Sequence, residues 1–264
     1  MPETPKQPKK EAAFFDLDNT LLRGSSSFLF GKAAFERKYL GRRDLYRFAW
    51  QQWKFILRGE TAKMLTHIED RALGLVAGHK AEELAQMVVD VYPDFIAPKL
   101  WPEAVRIAQE HMAKGREVWI ITASPREMSE EIAKRLGLTG GLGTLVARDE
   151  NGILTGELEG RPLHGKRKLT AIKKLAKERH ISLKRSYAYS DSANDLPMLS
   201  HVGHPVAVNP DGRLTTFAKA AGWKILDFKK REIRRRNKAK KKSDAAGTDA
   251  ARAQAQGTET PKAK

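Results

Sequence analysis

The sequence predicts an α/β protein: a parallel sheet flanked by helices, with a helical insertion early in the chain. Three observations carry this. Short apolar runs ending in polar residues recur: Ala12 to Phe15 before Asp16, EVWIITAS through Ile121 before Thr122 and Ser124, and SYAYSDS before Asp191. Such runs read as buried parallel strands. Amphipathic helical patterns lie between them, the alternation expected of an open α/β sheet. About a hundred residues separate the first strand from the second, and most of them are helical in pattern.

In order along the chain, MPETPKQPKK (1–10) is polar and Pro-rich and reads as a disordered leader. After the first strand, FLFGKAAFERKYLG, RRDLYRFAWQQWKFILRG, ETAKMLTHIEDRALG and KAEELAQMVVDVY each read as a helix ended by Gly, or by Pro93 in the last case. This insertion, 24–100, follows two aspartates, a place suited to a lid that excludes water and selects substrates. PEAVRIAQEHMAKG is a helix stopped at Gly115. In SPREMSEEIAKRLG, Ser124 reads as the N-cap, Pro125 as the first helical residue, Glu127 as the closing member of a capping box and Gly137 as the stop. GLTGGLG (137–143) lacks the strand-then-helix setting of a dinucleotide loop and reads as a connector into the strand TLVAR. KRKLTAIKKLAKERH is amphipathic and ends in basic residues, as a helix C-terminus prefers. HPVAVN (204–209) reads as one more short strand. The expected division is a core of 11–23 and 101–228, a helical cap of 24–100 and a tail of 229–264.

Composition narrows the function. Hydrophobic residues make up 41% of the 264 residues and charged ones 31%, enough apolar content for a real core. No apolar run approaches the ~20 residues of a membrane span, and the N-terminus has no apolar signal core, so a cytoplasmic protein is expected. The absence of cysteine excludes disulfides, thiolate metal sites and a cysteine nucleophile. The net charge of +17 is concentrated: residues 229–243, KKREIRRRNKAKKKS, hold ten Lys/Arg against one Glu. Like-charge runs are commonly solvated tails. This one also suits weak, salt-dependent contact with nucleic acid or an anionic membrane. Only Ile233 offers it an apolar side chain larger than Ala, so deep insertion into lipid is not expected.

The chemistry gathers where the strands end. In open α/β sheets, ligands bind beyond the carboxyl ends of the strands. Asp16, Thr122 and Asp191 each occupy such an end. Residues two apart on an extended chain face one side, so Asp16 and Asp18 converge if the strand persists. Adjacent carboxylates repel unless a cation or a shared proton relieves them. A cluster of hard oxygen ligands suits Mg²⁺. Thr122 can hydrogen-bond a phosphate oxygen, and a lysine of HGKRK can neutralise another. These parts point to phosphoryl transfer. His164, His201 and His204 have no metal-ligand spacing and read as loop or core residues.

Taken together, D-x-D-N-T at 16–20, Thr122 after its strand, Lys168 in G-x-x-K (165–168) and SDSANDLPML (190–199) resemble the four motifs of the haloacid dehalogenase (HAD) superfamily. The insertion after the first motif resembles the C1 cap of its phosphoserine phosphatase-like branch. ENGILTGE, YAYSDSANDLPML and VAVNPDGRL resemble the bacterial subfamily IB hydrolases. The likeness covers about 11–228.

The resemblance implies a Rossmann-like core and a phosphatase that hydrolyses a small phosphomonoester. Asp16 would be the nucleophile and Asp18 the acid and base. Mg²⁺ would be held by Asp16, Asp191 and the Asp18 carbonyl. Thr122 and Lys168 would bind phosphate, with Lys168 favoured over Lys166 by the G-x-x-K spacing. Asp195 would support the metal site, and Asn194 would approach the phosphate or its water. One position departs from the pattern. Phosphoserine phosphatases typically carry Glu nine residues after the nucleophile, to meet the substrate ammonium, and here that residue is Ser25. This argues against phosphoserine as the substrate. Arg42, Arg43, Trp50, Trp53 and Arg58 are further cap residues that could meet substrate. Two other functions fit the sequence: a polyanion-binding protein that uses its basic tail, and a phosphotransferase with an acceptor other than water.

Overall fold

The computed structural model describes residues 9–39 and 77–229. The predicted helices within 40–76, the cap residues Arg42, Arg43, Trp50, Trp53 and Arg58, and the basic run beyond 229 lie outside the described residues. The chain divides into two units, Met1–Leu226 and Asp227–Lys264.

In chain order the elements are β1 (Ala12–Phe15), α1 (Ser26–Glu36), α2 (Ala81–Val91), α3 (Pro102–Ala113), β2 (Glu117–Pro125), α4 (Arg126–Arg135), β3 (Gly140–Thr144), β4 (Val146–Arg148), β5 (Leu154–Leu158), α5 (Lys166–Glu178), β6 (Tyr187–Ser190), α6 (Leu196–Leu199), β7 (His204–Val208), α7 (Gly212–Ala220) and β8 (Lys224–Leu226). The main sheet has six strands in the order β3-β2-β1-β6-β7-β8, and each neighbouring pair is parallel. This is the Rossmann-like α/β architecture of the sequence prediction. β4 and β5 form a separate antiparallel hairpin.

β1 lies at the centre and is buried on both faces, which is why AAFF is apolar throughout. Phe14 joins a core with Ile121, Ile172, Leu175, Met198 and Leu214. Phe15 stacks on Tyr189 with ring centroids 4.2 Å apart, as alternation along a strand requires. Lys10, placed in the leader by sequence, is held by its backbone: its N–H donates to the His180 carbonyl, and its carbonyl accepts from Ser182. The strand design therefore begins slightly earlier than the apolar run.

The insertion leaves and re-enters the core on two adjacent strands of chain. Leu22 and Leu100 form an antiparallel bridge. The Arg23 N–H donates to Lys99 O, and the Trp101 N–H to Leu21 O. The regular α-helix α2 stops at Val91, just before Pro93, as expected. The chain continues past α2 as a π-helical turn, Tyr92–Ile96, in which the Ala97 N–H reaches Tyr92 O. A wider turn absorbs a proline that cannot donate to the regular ladder.

Two expectations around β2 are corrected. β2 runs through Ser124 to Pro125, so α4 starts later than the capping-box reading placed it. Pro125 is the N-cap, with no side-chain cap bond. Gly137 does follow the helix with φ +63°, and Leu138 N–H closes back to Ala133 O. The glycine run predicted as a connector is itself the edge strand β3. At Gly141 a Cβ would sit 2.4 Å from the Ser129 backbone. Here glycine lets α4 lie directly against the edge strand, a packing role that periodicity does not reveal.

Candidate active site

The carboxyl ends of β1, β2 and β6 meet at one cavity of about 250 Å³, lined by Asp16, Asp18, Thr122, Lys168, Asp191 and Asn194 among others. Asp16 follows β1 directly, and its N–H still pairs with Tyr189 O at 2.9 Å. The strand does not persist beyond it. The Leu17 carbonyl accepts from the N–H groups of Thr20, Leu21 and Leu22, and Asn19 turns left-handed at φ +53°. Asn tolerates that conformation better than most residues. Asp16 and Asp18 therefore reach the same cavity through a tight turn rather than by alternation along a strand. The turn is fastened on both sides: Asn19 Oδ1 accepts from the Gly24 N–H, and Asn209 Nδ2 donates to Asn19 O at 3.0 Å.

Lys168 is the centre of the charge arrangement. It stands in the first turn of α5 and is only 3% exposed. Its ammonium is 2.6 Å from Asp16 Oδ1 and 2.7 Å from Asp195 Oδ2. Lys166, the competing lysine, is exposed. Burial works against the Lys168 charge, but the Asp16 and Asp195 carboxylates outweigh it and hold the ammonium protonated. Asp195 also accepts from Ser190 Oγ at 2.7 Å. Its other oxygen is buried and has no hydrogen-bond partner among the described residues. It does not close a capping box; Ser192 Oγ instead accepts from the Asn194 N–H.

Burial pushes the Asp16 carboxyl well above the ordinary range. Lys168 pulls it back only in part, and Asp195, Asp191 and Asp18 add repulsion. Burial likewise raises Asp191, to about 6. Asp18 is raised by burial against the hydrogen bonds it receives from Ser26. Negative charge is thus crowded here beyond what one lysine balances.

Thr122 is buried, and its Oγ1 accepts from the Ser124 N–H at 3.1 Å. The Asp191 carbonyl accepts from the Asp211 N–H, and Asp211 Oδ2 accepts from the Ala193 N–H, bracing the loop that carries Asp191 and Asn194. Ser25, the residue where Glu is usual, lines the cavity and caps α1, accepting from the Phe28 N–H. His164, read from sequence as a loop or core residue, also lines the cavity. The signal that could have found it is its place immediately before the Gly165 turn that launches Lys168. Among the described residues, no group of three or more His, Asp or Glu side chains is arranged to hold a metal ion.

A model of the haloacid dehalogenase-like hydrolases matches residues 13–200. The chain is 46% identical over 219 residues to a Mycobacterium tuberculosis protein named phosphoserine phosphatase SerB1, covering 83% of this chain and 71% of that one. It is 31% identical over 224 residues to a Neisseria meningitidis histidinol-phosphatase, covering 83% of this chain and all of that one. Among solved structures, a protein of unknown function from Bordetella pertussis Tohama I superposes with a TM-score of 0.70 at 30% identity, over 84% of this chain and 100% of that one. The match spans the four motifs and the strands that carry them, and the chain belongs to the haloacid dehalogenase-like hydrolase family.

Proposed function

We propose that the chain is a Mg²⁺-dependent phosphatase that hydrolyses a small alkyl phosphomonoester through an aspartyl-phosphate on Asp16. The observation that supports this best is the convergence of Asp16, Asp18, Thr122, Lys168 and Asp191 on one small cavity. An Asp16 oxygen attacks phosphorus, and the bond to the alcohol oxygen breaks as Asp18 gives that oxygen its proton. Asp18, now ionised, takes a proton from water. The water oxygen attacks phosphorus, the bond to Asp16 breaks, and phosphate leaves. The raised pKa of Asp18 suits the first half of this cycle. Lys168 and the Thr122 hydroxyl neutralise and orient the phosphoryl oxygens.

The donor set fits Mg²⁺. Asp16 and Asp191 supply two carboxylates and Asp18 a backbone carbonyl. A site of two carboxylates completed by waters and phosphate is ordinary for this ion, and it needs no cluster of three acidic side chains. The unpartnered Asp195 oxygen could accept from a water on the ion. When bound, Mg²⁺ would supply positive charge against the phosphate and lower the raised carboxyl pKa values.

The names of the two relatives point to phosphate esters of small amino alcohols. Ser25 supplies no carboxylate, so the ammonium that this class shares would have to be met by other residues, and phosphoserine is not favoured over its other members. The test is phosphate release by the full chain from a panel of phosphomonoesters, including phosphoserine and histidinol phosphate, with Mg²⁺ and with chelator. Release that requires Mg²⁺ supports the reading. Release into an added alcohol rather than water would make the chain a phosphotransferase. No release by folded protein would overturn the enzyme reading.

A further inference from the structure

A line of hydroxyls joins the start of α1 to the end of β2. Ser124 Oγ lies 2.6 Å from Ser26 Oγ and 3.3 Å from Ser27 Oγ. Ser26 and Ser124 are both buried. The Ser26 N–H donates to Asp18 Oδ1 at 2.8 Å. On its other side, the Ser124 N–H donates to Thr122 Oγ1.

A hydroxyl has one proton to give and two lone pairs to accept with. Ser27 can donate to Ser124 while Ser124 donates to Ser26, so the Ser124 hydroxyl meets both serines at once and fixes Ser26, whose N–H holds Asp18. At the other end, the Ser124 N–H occupies the acceptor side of Thr122 Oγ1, which leaves the Thr122 proton to point into the cavity. Each part depends on β2 running to Pro125, because an N-cap conformation at Ser124 would turn its side chain back onto α4.

We infer that Ser124 is a positioning residue: its hydroxyl, through Ser26, holds Asp18 and the start of α1, while its N–H orients the Thr122 hydroxyl. The inference rests on the proposed roles of Asp18 as proton donor and Thr122 as phosphate ligand. It gives the serine run at 25–27 linked tasks: Ser25 caps α1 and with Ser26 faces Asp18, and Ser27 backs Ser124.

The side-chain and backbone halves can be separated, because Ser124→Ala removes the hydroxyl and keeps the N–H. Proton donation matters most for a poor leaving group. Ser124→Ala should therefore lower kcat about tenfold on an alkyl phosphate and less than about threefold on p-nitrophenyl phosphate. Inhibition by inorganic phosphate should stay within about twofold, since Thr122 keeps its N–H partner. Ser26→Ala should show the same leaving-group pattern. The double variant should be no worse than the worse single one, because one shared line of contacts is removed either way. Amide hydrogens of residues 26–30 should exchange faster in Ser124→Ala, while those of β1 stay unchanged.

Equal losses on both esters, additive losses in the double variant, or unchanged exchange at 26–30 would each overturn the inference. If the wild-type chain is folded but cleaves no ester, the phosphatase reading fails instead. The exchange measurement then still decides whether Ser124 holds α1.

Discussion

Phe15 and Asp16 are neighbours in sequence, yet each faces a buried polar cluster of the opposite kind. Phe15 packs on Tyr189, whose hydroxyl lies 2.8 Å from His111 Nε2 on α3. That cluster is neutral and satisfied. Burial, with Arg116 and Lys114 nearby, depresses the His111 pKa to about 4, so the ring stays uncharged at neutral pH. Asp16 instead enters a cluster in which charges are buried and only partly balanced: Lys168 between two carboxylates, with Asp191 and Asp18 close by. The difference teaches where the fold spends its stability. On the α3 side of the sheet, burial was resolved by neutrality and hydrogen bonding. At the strand ends, crowded charge is kept, and a cation or an anionic substrate would be needed to relieve it.

The largest effect that could break this contrast is on catalysis. Asp16→Asn should lower Mg²⁺-dependent phosphate release by at least about a thousandfold, because the proposed nucleophile is lost while the shape is kept. Retention of full activity would remove Asp16 from the mechanism. Lys168→Met should lower kcat about a hundredfold, and it should also destabilise the metal-free fold by about 3 kcal/mol by leaving two buried carboxylates without their cation. Denaturant titration in chelator checks the second half. A stability change near zero would mean that the buried lysine does not offset those charges.

The two clusters should also respond to acid with opposite signs. His111 has a folded pKa of about 4, below its ordinary 6.5. The unfolded chain therefore binds the proton first, and the stability from the neutral ring is present above pH 6.5 and lost as pH falls to about 4. Asp191 is raised from 3.8 to about 6. In metal-free protein its contribution is full below pH 3.8 and lost as pH rises through about 6. Each is worth about 3 kcal/mol, so they partly cancel in the wild type. His111→Phe should make the chelated protein gain stability on acidification from pH 6.5 to 4.5, and Asp191→Asn should make it lose more than wild type. Saturating Mg²⁺ should erase the Asp191 component and leave that of His111. If both variants shifted the profile in the same direction, the contrast between the clusters would be wrong.

The charged half of this contrast was largely legible in the sequence, the neutral half around His111 was not, and the exceptions share a cause. The strand runs before Asp16, Thr122 and Asp191 could be read because a buried parallel strand has to be apolar throughout and its end has to change character. Lys168 could be preferred to Lys166 only through its place in the G-x-x-K motif of the resemblance; taken alone it would read as a solvated helix residue. Asp16 and Asp18 were expected together, but for a geometric reason that the Leu17 turn replaces. What escaped depended on packing between distant segments. The glycines of β3 look like a loop until α4 is seen lying on them. Ser124 looks like a helix cap until α1 is seen beside it, 98 residues away in sequence. His164 carries no metal-ligand spacing, and its place before the Gly165 turn gains meaning only when the fold brings it to the cavity wall. Local pattern records local structure, whereas these residues answer to partners that arrive later.

The most direct test of the account is to catch the intermediate. The full chain, with Mg²⁺ and a cleavable phosphomonoester, is quenched in acid during turnover, and its peptides are weighed. The account predicts one added phosphoryl group on the peptide that contains Asp16, removable by hydroxylamine and absent in Asp16→Asn. Turnover with no phosphorylated peptide, or with the phosphoryl group on another residue, would contradict it.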